Sequence, residues 1–69
     1  MSEHYSLVGI DGNAYSIMGY VAKCMKRELY ESIEIEDYRD RATSGDYDNL
    51  LKISQEVIDE LNNKENKAN

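Results

Sequence analysis

Two short stretches hold the side chains best suited to chemistry. "IDGN" sets Asp11, Gly12 and Asn13 directly before an apolar run, and "SGDYDN" sets Asp46, Asp48 and Asn49 around Tyr47. Carboxylate and amide oxygens of this kind suit hard cations, and the free N–H groups at a helix start suit anions. The spacing fits neither chemistry. Counting from Asp46, a calcium loop would need glycine where Leu51 stands and glutamate where Val57 stands. Counting from Asp11, the same positions hold Ser16 and Ala22. Gly9, Gly12 and Gly19 match neither phosphate-binding glycine pattern, and an aspartate beside the N–H groups competes with any anion. No ligand set for zinc is present. We therefore expect no metal and no cofactor. Both stretches read first as helix caps, with Tyr15 and Tyr47 beside them. If they converge in space, Asp11, Gly12, Asn13, Tyr15, Asp46, Tyr47 and Asp48 form an acidic edge suited to a basic partner or a small polar ligand.

A nucleophile with its base is missing as well. His4 is the only histidine and lies near the N-terminus, while Cys24, the only cysteine, falls on or beside an apolar helix stripe, where a thiol is inert. Ser16, Ser32, Ser44 and Ser54 lack the context of a nucleophile elbow. No catalytic residues are expected, and the chain reads as a non-enzyme.

Three helices must position these stretches. Ala14, Ile17, Met18, Val21, Met25 and Leu29 recur at steps of three and four, which predicts a helix over 13–30 capped by Asp11 or Asn13. Lys23, Lys26 and Arg27 fall late in it, where cations meet the negative end of the dipole. Gly19 inside it is either a close-contact point or a tolerated weakness. A second helix is expected over 34–43, with Ile35, Tyr38 and Ala42 on one face and a favourable Asp37–Arg41 pair. Gly45 is expected to end it in a left-handed cap. The third and strongest stripe is Tyr47, Leu50, Leu51, Ser54, Val57, Ile58 and Leu61, predicting a helix over 47–62 with Asp46 as N-cap. Before the helices, "HYSLVGI" alternates weakly, as does the short "SIEIE" at 32–36. The former is expected as a short β-strand or an extended arm; a strand would pair with "SIEIE" or across a dimer. The polar 62–69 segment is expected to be a disordered tail, leaving 1–61 as one domain.

With 69 residues and a net charge of −6, the chain forms one small domain whose core is marginal. No disulfide is available and no run approaches the roughly 18 apolar residues of a membrane span, so a soluble, cytoplasmic protein is expected. The acidity opposes direct nucleic-acid binding, which needs a basic patch. It suits solubility, a basic partner or, less well, a mimic of DNA. All six aromatic residues are tyrosine, which suggests aromatics at a core rim or an interface.

The motifs "DGNAY" (Asp11, Gly12, Asn13, Ala14, Tyr15) and "ATSGDYDxLL" (Ala42, Thr43, Ser44, Gly45, Asp46, Tyr47, Asp48, Leu50, Leu51) resemble those of a group of short phage and bacterial proteins. The resemblance spans roughly residues 7–58. The group has no assigned activity, so it implies no catalytic residues; it implies a small protein of phage or mobile-element type. This chain departs from it in a longer polar tail and in Tyr15, where phenylalanine is usual.

The expected fold is thus mainly α: three helices around Leu7, Ile17, Met18, Val21, Met25, Leu29, Ile35, Tyr38, Leu50, Leu51, Val57, Ile58 and Leu61. The expected role is that of a small acidic interaction protein modulating a host protein. The alternative is a module binding a nucleotide or polar metabolite. A thin core and a lone strand make a homodimer plausible.

Overall fold

A computed structural model describes the backbone of residues 4–67 and the side chains up to residue 63. It contains α1 (Ala14–Arg27), α2 (Ser32–Ala42) and α3 (Tyr47–Lys67), joined by short turns, and no strand among the described residues. Both α1 and α2 pack on α3. The stripe of α1 buries Ile17, Met18, Val21 and Met25, widened by Ala22 and Cys24; α2 adds Ile35, Tyr38 and Ala42, and α3 adds Leu50, Val57, Ile58 and Leu61. Leu7 and Leu51 are only partly buried against this core.

The first helix ends earlier than its stripe. Leu29 falls in register, yet it is 88% exposed and has φ 68°. The Tyr30 N–H donates to the Met25 carbonyl and the Leu29 N–H to the Lys26 carbonyl, each at 3.0 Å. That pair of bonds is the Schellman motif, with Leu29 in the left-handed position that glycine usually fills. A side chain there costs on the order of 1–2 kcal/mol. Leu29→Gly removes that strain but adds chain entropy to the unfolded state. It is expected to stabilise the protein by about 0.5–1 kcal/mol, read as a higher urea midpoint at unchanged slope.

The second helix starts two residues early, at Ser32, so "SIEIE" is its first turn and not a strand. The Glu31 N–H donates to the Glu34 carboxylate at 2.9 Å, which anchors that turn. The Asp37–Arg41 pair forms at 3.2 Å between exposed side chains, so it adds little. Gly45 does not take the left-handed cap: the only glycine with positive φ among the described residues is Gly9. The carbonyls at the end of α2 are taken by side chains. Thr43 Oγ1 donates to the Arg39 carbonyl and Ser44 Oγ to that of Arg41, both at 2.8 Å; the Asn49 amide donates to those of Arg41 and Ala42. Gly45 serves close approach: a Cβ there would sit 2.9 Å from Asn49 Cβ. Gly19, by contrast, faces open space and brings nothing close.

Residues 4–10 form an arm without strand pairing, ending in a turn closed by Ile10 N–H to the Leu7 carbonyl at 3.2 Å. Its two-way backbone pairing at Tyr5 is with a side chain. The Tyr5 N–H donates to Asn62 Oδ1 at 2.9 Å, and Asn62 Nδ2 donates to the Tyr5 carbonyl at 3.0 Å. The Tyr5 ring is buried and its hydroxyl donates to Glu28 at 2.6 Å, while the Ser6 N–H donates to Tyr20 Oη at 3.1 Å. Asn62 therefore belongs to the folded body. The helix continues past the expected end at 62 to Lys67, and residues 68–69 lie outside the described chain.

Candidate functional site

The two Asp-rich stretches do come together. Tyr47, in the first turn of α3, donates its hydroxyl to the Gly12 carbonyl in the turn that precedes α1. The start of α1, the end of α2 and the start of α3 thereby meet at one end of the molecule. Between them lies an open groove of about 310 Å³. Its floor is apolar, from Ala14 and Met18 of α1, Ala42 of α2 and Leu50 of α3. Tyr15, Tyr47, Thr43, Gly45 and Asp46 line its sides. Tyr15 is 82% exposed and Tyr47 45%. Both rings stand beside the apolar floor, Tyr15 largely in water and Tyr47 partly covered.

The carboxylates and amides have structural duties. Asn13 Oδ1 accepts from the Tyr15 N–H at 2.8 Å, so Asn13 caps α1, and Asp11 Oδ1 accepts from the Asn13 N–H at 3.3 Å. Asp46 Oδ1 accepts from the Asn49 N–H at 3.0 Å and caps α3. Each spends one side-chain oxygen on a backbone N–H, which leaves fewer acceptors for a cation or polar ligand. Among the described residues, no group of three or more His, Cys, Asp or Glu side chains is placed to hold a metal ion. Of the residues singled out by sequence, Tyr15, Asp46 and Tyr47 line the groove, Gly12 reaches it through Tyr47, Asn13 and Asp11 brace its edge, and Asp48 is exposed in the first turn of α3 without lining it. The floor was not anticipated as part of a site. Met18 and Leu50 were core positions in the periodicity, and nothing local marks which core residues lie at an open end.

A smaller cavity of about 180 Å³ lies elsewhere, between Tyr30, Glu34, Asp37, Arg41 and Glu60 over Met25 and Val57. Burial, then the nearby Glu60 carboxylate, pushes the Tyr30 phenol up to about 12. Its hydroxyl donates to Glu60 at 3.3 Å, so this cluster is internally hydrogen-bonded and its tyrosine stays neutral at physiological pH. Cys24 is buried in the core. No helix among the described residues is long and apolar enough to cross a membrane.

Comparison with protein families, with curated proteins and with solved structures finds no match to this chain.

Proposed function

We propose that this protein acts by binding another protein through the groove between its helix ends, without catalysis of its own. The observation that carries this reading is the apolar floor flanked by the exposed rings of Tyr15 and Tyr47. Binding hot spots favour aromatic side chains around a pocket that water can leave, and tyrosine offers large area at low entropy cost. The use of Asp11, Asn13 and Asp46 oxygens as caps favours a protein partner over a small polar ligand, since a ligand would have to compete with backbone N–H groups. The motif resemblance to short phage and bacterial proteins supports a host protein as the target, in a modulating role within the cytoplasm.

Of the two grounds for a homodimer, the small core stands; in place of the lone strand, residues 4–10 form an arm in which the Tyr5 backbone pairs with Asn62.

The test is comparative capture from a bacterial lysate on immobilised protein. A genuine partner is expected to be lost at least about fivefold with Tyr15→Ala and retained with Ile33→Ala. Ile33 is 72% exposed but sits at the start of α2, at the other end of that helix from the groove. Equal capture by both variants would count against the groove.

A further inference from the structure

We infer that the groove's occupant is a cationic protein segment that inserts one large apolar side chain between Tyr15 and Tyr47. This rests on the docking reading above and adds the chemistry of the partner. The cavity of about 310 Å³ is at the small end of ligand pockets, which run from roughly 300 to 1,000 Å³. It holds a single anchor and not an extended apolar face. The floor offers that anchor only carbon and sulfur, from Ala14, Met18, Ala42 and Leu50.

The groove's lining carries one sign of charge. Asp46 lines the groove, Asp48 follows it in the first turn of α3, and Asp11 sits in the turn locked to Tyr47 through Gly12. No lysine or arginine is among the described residues lining it. Arg39 and Arg41 lie in the last turn of α2, but neither lines the groove, and Arg41 faces Asp37. Lys26 and Arg27 lie in the last turn of α1, at its far end from the groove. The net charge of −6 extends the same field outward. Such a field speeds the approach of a basic segment and penalises an acidic one. Capping does not remove these groups from the surface: Asp11, Asp46 and Asp48 are all exposed.

The test uses three blocked pentapeptides and the backbone amide resonances of the protein. The first has phenylalanine flanked by two lysines on each side; the second replaces phenylalanine with glycine; the third replaces the lysines with glutamates. The first is expected to shift the amides of Gly12, Tyr15, Gly45 and Tyr47 and to bind at least tenfold tighter than either of the others. Replacing Asp11, Asp46 and Asp48 together by asparagine keeps the capping oxygens and is expected to weaken the first peptide by about three- to tenfold at low salt. Equal binding of the glycine peptide would overturn the anchor. Equal binding of the glutamate peptide at the groove would overturn the cationic partner while leaving the docking reading in place. No shift at the groove with any of the three at about 1 mM, or shifts centred on another surface, would overturn both.

Discussion

Ser54→Ala is expected to destabilise the protein by about 2–3 kcal/mol, more than Tyr38→Phe, although both remove the same hydrogen bond. Tyr38 and Ser54 are each wholly buried, and their hydroxyls lie 2.6 Å apart. The asymmetry follows from what each partner can do alone. Ser54 sits within α3, where a serine hydroxyl can turn back to the carbonyl one turn before it. In Tyr38→Phe the serine keeps that option, and the cost is about 1 kcal/mol. In Ser54→Ala the phenol is fixed by its ring among apolar neighbours, with every buried polar side-chain atom around it already partnered. The double variant is expected to be more stable than Ser54→Ala alone, because no orphan hydroxyl remains. Thermal unfolding reads this directly, since in a domain of this size about 1 kcal/mol moves Tm by 4–8 °C. Tyr38→Ala should abolish the fold, as a buried ring is worth about 3–5 kcal/mol and a core this small supplies little more in total. A further check comes from alkali. Burial pushes the Tyr38 phenol above its ordinary value of 10.0, and the Ser54 bond only partly offsets this. The neutral phenol is the form the fold accepts. Its stabilising share is complete below the unfolded value and is lost as pH climbs past it, and Tyr38→Phe should remove that share of the alkaline loss. Additive single-variant costs, with the double variant worst of all, would mean that the pair is not coupled as described.

The parts of the fold that were legible in the sequence are those carried by period alone. The stripes of α1 and α3 gave helix type and most of the core because burial repeats every turn. Leu29 shows the limit. It matches the stripe, but the helix ends at Arg27 and the chain turns at Leu29 itself, and a leucine in a left-handed position gives no local signal. Tyr5 shows another limit. The tyrosine-only composition suggests rings at a core rim or an interface, with Tyr38 in the core; the Tyr5 ring is buried as well, because its polar tip found a partner in Glu28, far along the chain. The candidate site was legible as two matching helix starts and no further. Their meeting depends on the Tyr47–Gly12 bond across 35 positions, and the groove depends on how three helix ends fail to fill the space between them. Gly45 was correctly marked as special but for the wrong reason, since a glycine needed for a neighbour and a glycine needed for its φ look alike in sequence.

Asn62→Ala is expected to cost about 2 kcal/mol and to release the N-terminal arm, a large effect for a residue that by composition belongs to a featureless polar tail. The Asn62 amide bonds both backbone groups of Tyr5, at 2.9 and 3.0 Å, as a neighbouring strand would. Removing it leaves a partly buried N–H and carbonyl to find water, and the better helix propensity of alanine returns only a few tenths of a kcal/mol. The arm would then be held by the Tyr5 ring and its bond to Glu28, and by the Ser6–Tyr20 bond. Hydrogen exchange at the Tyr5 amide should rise by at least tenfold while the amides within α1 slow or speed only with global stability. Asn63→Ala, one position on at an exposed site, should change stability by less than about 0.5 kcal/mol. The comparison separates two pictures of the same sequence. If the two variants behave alike, the folded body ends at Leu61 and the arm is held by its ring alone. If they differ as expected, one amide side chain gives Tyr5 the backbone pairing that a neighbouring strand would otherwise supply.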